Sequence, residues 1–141
     1  MLIRPAVLES IGGMDENYFL YFEETDFCYR ARKAGFATWY VPESRVMHIQ
    51  GQSTTVTDAT RGPQRLPSYW FESRKRYFAM TYGIGHAMGI DVVALFAYSI
   101  GLVKRTVLGR THTATPHFIR DLIRHSVIWP RNRKFPAVQS K

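Results

Sequence analysis

The chain has 141 residues, of which 45% are hydrophobic and 21% charged, and its formal net charge at pH 7 is +8. This length suits one compact domain, and the composition excludes a wholly disordered polypeptide. The single cysteine, Cys28, excludes an internal disulfide, and the first residues lack the pattern of an ordinary secretory signal.

Short elements follow one another in the first third of the chain. Residues 1–4 are predicted to end a strand, and residues 5–11 to form a helix with proline in its first turn and glycine at its end. A glycine-containing loop and an aromatic segment lead to a second helix over 23–34. Two short strands are predicted next, over 38–41 and 45–49.

The rest of the chain is predicted to be helical around one loop. Residues 51–66 are rich in Gly, Ser, Thr, Gln and Pro, which predicts a mobile loop. A helix with an aromatic and basic run follows over 68–82, and residues 84–103 form an apolar stretch interrupted by His86 and Asp91. A short amphipathic helix is predicted between residues 116 and 128.

Three acidic side chains open the second predicted helix. At about 100° per residue, Glu24 projects onto the apolar face, Glu23 lies at the edge of that face, and Asp26 points away from it. In the structural interpretation, each acid in the first turn stabilises the helix by about 0.3–1 kcal/mol through its interaction with the helix dipole. The functional interpretation is a carboxylate held in a cleft to remove a proton from a hydroxyl group. The apolar face consists of Phe27, Cys28, Ala31, Ala34 and Gly35.

His48 lies on the second of the two predicted strands, where it faces either a core or a cleft. A lone histidine is more often structural than a metal ligand, and no second histidine has the spacing of an autonomous metal site.

Several linked motifs in the first 54 residues resemble family 2 glycosyltransferases, most closely the branch with bacterial rhamnosyltransferases. The resemblance is strong over residues 1–54 and loose over 67–82. The matching runs are Leu2-Ile3-Arg4-Pro5, Ile11-Gly12-Gly13-Met14-Asp15-Glu16, Phe19-Leu20-Tyr21-Phe22-Glu23-Glu24-Thr25-Asp26 and onward to Gly35, Tyr40-Val41-Pro42, and Val46-Met47-His48-Ile49-Gln50-Gly51-Gln52-Ser53-Thr54.

The resemblance implies an α/β GT-A fold and inverting transfer from a nucleoside-diphosphate sugar to a saccharide or lipid-linked acceptor. It assigns the general base to Glu24, with Glu23 and Asp26 as further catalytic candidates. His48 is expected to help bind Mg²⁺ or Mn²⁺ on the donor diphosphate. In the same comparison, Gly13 and Arg30 are predicted to contact the acceptor.

The family's N-terminal strands and its Asp-x-Asp metal motif have no counterpart in this sequence. We therefore expect residues 1–66 to be the C-terminal part of the catalytic domain, 67–110 a helical extension and 111–141 a basic tail. We expect the metal to be held mostly by a missing N-terminal half. Otherwise a second copy of the chain in a homo-oligomer would complete the site. The alternative is a catalytically inactive fragment that binds a membrane or a partner transferase.

The charge distribution points to an anionic partner. Residues 1–103 carry 10 basic and 10 acidic residues, whereas residues 104–141 carry 9 basic residues and one acid. The apolar stretch 84–103 either lies in a membrane interface, packs inside the protein or spans the bilayer. Anionic lipid at the cytoplasmic face is the favoured partner, and a nucleic acid is disfavoured because the aromatic residues and the excess charge lie in different regions.

Overall fold

The computed structural model describes residues 1–45, 47, 63–109 and 114–136. These residues form five α-helices and a short 3-10 helix, and none of them lies in a strand. The predicted helices are confirmed, with α4 continuing beyond residue 103. Their bounds are α1 (Pro5–Ile11), α2 (Glu23–Lys33), α3 (Ser68–Tyr82), α4 (Ile84–Val107), α5 (Phe118–His125) and the 3-10 helix Pro130–Asn132.

The predicted α/β GT-A fold is wrong for the described residues, which are helical or irregular. A strand is stable only when a neighbouring strand takes up its backbone hydrogen bonds, and the described residues provide no such neighbour for 1–4 or 38–41. The side chains of Trp39 and Tyr40 are 83% and 88% exposed, so none of the described residues forms a second layer over this segment. The predicted strand 45–49 and the predicted loop 51–66 fall largely outside the described residues.

Helices α1 and α2 share a small apolar core. Val7 of α1 packs with Phe27 and Ala31 of α2, and all three are buried. Helix α1 ends because Gly12 adopts a positive φ of 72°, and its N–H donates to the Leu8 carbonyl at 2.9 Å. The chain can then reverse direction into the loop that precedes α2.

Helices α3, α4 and α5 pack against one another. Gly83, with φ 86°, separates α3 from α4, and this left-handed conformation favours glycine. Ala79, Ala87 and Val127 form the apolar centre of the three-helix unit. The nearly inaccessible ring of Phe71 packs on the ring of Phe118 at 5.8 Å and so joins α3 to α5.

A buried carboxylate in α4 joins α3 to the segment that follows α5. Asp91 is 3% exposed, forms an ion pair with Arg74 of α3, and accepts hydrogen bonds from Ser126 Oγ at 2.5 Å and Val127 N at 3.2 Å. Because its charge is paired and its oxygens are hydrogen-bonded, the acid is compatible with burial. Asp91 therefore fixes α4 against α3 and the segment after α5.

Candidate functional site

The acidic residues of α2 follow a strained turn. Tyr21 and Phe22 both have φ of 69°, in the left-handed region that bulky side chains rarely occupy. Such residues cost about 1–3 kcal/mol each and persist where surrounding contacts hold them. The Phe22 ring packs against α3, with centroids 5.5 Å from Tyr77, and Ser73 Oγ donates to the Leu20 carbonyl at 2.8 Å. Helix α3 thus holds the turn that sets the direction in which α2 begins.

The three acids at the start of α2 have different environments. Glu24 is exposed, whereas Asp26 is 5% exposed and accepts a hydrogen bond from Arg30 Nε at 2.7 Å. Glu23 is half-buried, and its Oε2 atom is inaccessible and has no hydrogen-bond partner among the described residues. The placements predicted for Glu24, on the buried face, and for Asp26, away from it, are therefore wrong.

The ion pair of Asp26 explains the error. Helical projection placed the buried arc of α2 by its apolar residues alone, but Ala34 is exposed. The Asp26–Arg30 pair instead turns toward α1 and the loop behind it, so the buried arc includes Asp26 and excludes Glu24. A polar pair that satisfies backbone groups can be buried as effectively as an apolar side chain.

The predicted acceptor residues, Gly13 and Arg30, lie in contact with each other. Arg30 Nη2 donates to the Gly13 carbonyl at 2.9 Å, and Nη1 donates to the Ile11 carbonyl at 3.0 Å. With its bond to Asp26, this guanidinium connects α2 to the end of α1 and to the glycine loop. The contacts give Arg30 a scaffold role, and its role toward an acceptor stays a prediction.

A buried ion pair that the sequence reasoning missed holds the other end of this loop. Asp15 is 2% exposed and accepts hydrogen bonds from Arg76 Nε at 2.8 Å and from the Asn17 backbone N–H at 3.0 Å. The Asp-x-Asn spacing, which is typical of a side-chain-stabilised turn, was the available local signal. The ion pair with Arg76 could not be predicted from local spacing, because 61 residues separate the two side chains.

The pKa of Asp15 is shifted by opposing effects. Burial raises the pKa of this carboxyl, but the hydrogen bonds from the Asn17 amide and the Arg76 guanidinium outweigh burial and hold it below its ordinary value of 3.8. The ionised form is therefore favoured in the folded protein, which keeps the loop before α2 attached to α3.

Asp15→Asn should make the free energy of unfolding less dependent on acid pH. The lowered folded-state pKa means that Asp15 contributes stability above its ordinary value of 3.8 and loses it as pH falls toward the folded-state value. Urea unfolding at pH 7 and pH 3 measures this, with Glu9→Gln on exposed α1 as the matched control. An unchanged difference between the two pH values in Asp15→Asn would contradict the assigned shift.

A buried tyrosine lies beside this ion pair. Tyr18 is 7% exposed, its ring lies 5.5 Å from the guanidinium carbon of Arg76, and its hydroxyl has no hydrogen-bond partner among the described residues. Burial, followed by the nearby charge of Asp26, raises the pKa of Tyr18 well above its usual range. The tyrosine therefore stays neutral and serves as packing for Arg76.

The predicted metal ligand, His48, lies outside the described residues, so its role stays a prediction. Within residues 1–45, 47, 63–109 and 114–136, no three His, Cys, Asp or Glu side chains are grouped to hold a metal ion. The described residues therefore do not fit a resident metal.

Comparison with protein families gives a match over the segment that contains these acids. The family model described as "Glycosyltransferase like family 2" matches residues 1–83, from the start of the chain through the end of α3. No solved structure matches the chain at a significant level.

Curated relatives are similar over a shorter segment. An N-acetylglucosaminyl-diphospho-decaprenol L-rhamnosyltransferase of Mycobacterium tuberculosis is 41% identical over 54 residues, covering 38% of this chain and 18% of the relative. The low-salt glycan biosynthesis hexosyltransferase Agl10 of Haloferax volcanii is 52% identical over 33 residues, 23% of this chain and 11% of the relative. Rhamnosyltransferase WbbL of Escherichia coli is 38% identical over 48 residues, 34% of this chain and 18% of the relative. The matched segment thus spans less than a fifth of each relative.

Proposed function

Because the chain belongs to glycosyltransferase family 2, we propose that it carries the acceptor-side residues of a sugar-transferring enzyme. The donor is a nucleoside-diphosphate sugar, and the acceptor is a hydroxyl of a saccharide or of a lipid-linked glycan. The reaction inverts the anomeric carbon. The names of the relatives, two rhamnosyltransferases and a glycan-biosynthesis hexosyltransferase, support a role in building a cell-surface polysaccharide or glycolipid.

The observation that carries this proposal is the first turn of α2. The helix that follows the strained turn at Tyr21 and Phe22 exposes Glu24 in its first turn, free of any ion pair among the described residues, and leaves Glu23 half-buried beside it. Asp26 is buried and occupied by Arg30, so it is unsuited to receive a substrate proton. The accessible carboxylate is Glu24.

In the proposed reaction, Glu24 accepts the proton of the acceptor hydroxyl. The hydroxyl oxygen attacks the anomeric carbon of the donor, and the bond from that carbon to the diphosphate breaks with its electron pair on the leaving nucleoside diphosphate. An alcohol is a poor nucleophile until its proton is removed, so this carboxylate supplies the step the chemistry requires. Glu23, half-buried beside it, orients the acceptor.

Residues 1–141 alone are expected to bind a nucleoside-diphosphate sugar only weakly in the presence of Mg²⁺ or Mn²⁺. The described residues group no acids for a metal, and the sequence has no phosphate-binding glycine loop. Isothermal titration calorimetry with the nucleotide sugar measures this, with the free nucleoside diphosphate as a comparison. Micromolar affinity for either compound would contradict a separate donor-binding half.

Sugar transfer in a polypeptide that joins this chain to a donor-binding half tests the function itself. The proposal predicts that radiolabelled sugar moves to a lipid-linked or saccharide acceptor. The alternative, an inactive fragment that binds a membrane or a partner transferase, predicts no transfer at any acceptor. We place the reaction at the cytoplasmic face of the membrane, which is supported by the apolar helix α4 and the basic residues that follow it.

A further inference from the structure

One face of α4 is apolar and uncovered from residue 92 to residue 107. Its exposed side chains recur at helical spacing, and several are more than half exposed. At about 100° per residue they fall within one arc of the helix. They are Val92, Val93, Phe96, Ile100, Val103 and Val107, and we refer to them as the α4 stripe.

The opposite side of α4 is occupied by protein. Asp91 pairs there with Arg74 and accepts a hydrogen bond from Ser126, while Ala87 is buried. By length and composition alone α4 could cross a membrane, and 11% of its most apolar window is buried. Because α4 is fixed to α3 by the Asp91–Arg74 ion pair, a bilayer-spanning α4 would carry this pair into the hydrocarbon. Placing such charged side chains in the hydrocarbon is costly.

The surface that continues from the end of α4 is basic. The exposed cationic side chains include Lys104, in the last turn of α4, and Arg120 and Arg124 on α5, which packs on α4. The described residues from 104 to 136 contain one acid, Asp121, and it is buried in an ion pair with Arg65. The exposed acid that reaches this region is Glu72 of α3, which pairs with His125, whereas Lys104, Arg120 and Arg124 have no acidic partner among the described residues.

The last segment places further basic side chains near the start of α4, where Arg133 Nη2 lies 3.9 Å from Met88 Sδ. Arg133 donates to the carbonyls of Val127 and Ile128, which are neutral acceptors, so its charge is not compensated by these bonds. Arg131 and Lys134 are exposed beside it.

We propose that the α4 stripe docks in the plane of an anionic phospholipid surface, with the basic residues of 104–136 contacting the headgroups. An uncovered apolar stripe on one side of a helix, with basic residues at its end, is the composition of an interfacial helix. An anionic phospholipid surface matches both parts. Its acyl chains accommodate the apolar α4 stripe, and its phosphates attract the basic side chains. This inference deepens the membrane part of the proposed function, and its test involves no sugar transfer, so either can fail alone.

A second copy of the chain is the competing occupant of the stripe. Two stripes facing each other would also bring two sets of uncompensated basic side chains together, which like-charge repulsion opposes. The charge distribution therefore favours the lipid surface over self-association.

Sedimentation of the full chain with vesicles tests the proposal. Vesicles of equal parts phosphatidylcholine and phosphatidylglycerol should bind it, pure phosphatidylcholine vesicles should bind it more weakly, and added salt should reduce binding through screening. Phe96→Glu should lower the vesicle partition coefficient by about tenfold or more, because a large apolar side chain in the stripe is replaced by a repelled charge. Phe19→Glu is the matched control, since Phe19 is 79% exposed but lies before α2, and it should leave binding unchanged.

Two further measurements separate the alternatives. Lys104→Gln with Arg120→Gln should weaken binding to the anionic vesicles and make its salt dependence shallower. Alkaline carbonate should release the bound chain. Equal loss of binding in Phe96→Glu and Phe19→Glu, resistance to carbonate, or a solution dimer that Phe96→Glu dissociates without changing vesicle binding would each overturn the proposal.

Discussion

Glu24→Gln is expected to lower turnover by about 10²–10⁴, the usual cost of losing a general base. Glutamine keeps the size and hydrogen-bonding shape of the side chain but cannot take the acceptor proton. The affinity for the donor should change little because the role proposed for Glu24 is toward the acceptor. The measurement is steady-state sugar transfer in a polypeptide that joins this chain to a donor-binding half, with melting temperature as the folding check.

Two neighbouring variants serve as controls for Glu24. Asp26→Asn should reduce stability, because it weakens a buried ion pair with Arg30, while leaving the chemical step largely intact. The turnover of Glu23→Gln should lie between those of Glu24→Gln and Asp26→Asn, as expected for a residue that is proposed to orient the acceptor. Near-normal turnover in Glu24→Gln would contradict the assignment of Glu24 as the base and move that role to Glu23.

Asp91→Ala is expected to lower the free energy of unfolding by about 3–5 kcal/mol, the cost of leaving a buried charge without its partner. Arg74 would remain buried on α3, with its side chain 10% exposed, and Ser126 would lose the oxygen to which it donates. Urea denaturation at pH 7 measures the change. The urea concentration at the unfolding midpoint should fall, because α4 separates from α3 more easily without this ion pair.

Ser99→Ala is the matched control for that experiment. Ser99 is exposed on the same helix and donates only to the Leu95 carbonyl one turn before it. Its replacement should change the free energy of unfolding by less than about 0.5 kcal/mol. A loss below about 1 kcal/mol in Asp91→Ala would contradict the assignment of Asp91 as the joint of the three-helix unit.

Local signals predicted the helices well, because their ends depend on nearby residues. Pro5 and Gly12 bound α1, and Gly83 separates α3 from α4, as their conformational preferences require. The apolar stretch after Gly83 was predicted as a helix, and the structure continues it beyond residue 103 to Val107.

Interactions between residues that are distant in the sequence could not be predicted from these local signals. Arg30 reaches the carbonyls of Ile11 and Gly13, and this contact decides which side of α2 is buried. The Arg74–Asp91 pair likewise explains why an acid sits in an apolar helix, and neither partner signals the other in the sequence. The α/β fold that the resemblance implied is wrong for the described residues, and the short predicted strands at 1–4 and 38–41 have no neighbouring strand there to pair with.

Proton NMR of the transfer product is the most direct test of the central claim that this chain supplies the base of an inverting glycosyltransferase. A polypeptide joining this chain to a donor-binding half should transfer sugar from a nucleoside diphosphate to an acceptor hydroxyl. The anomeric coupling of the product should show the configuration opposite to that of the donor. Retention of configuration, which requires a covalent or front-face route instead of a base on the acceptor, or no transfer at all, would contradict the account.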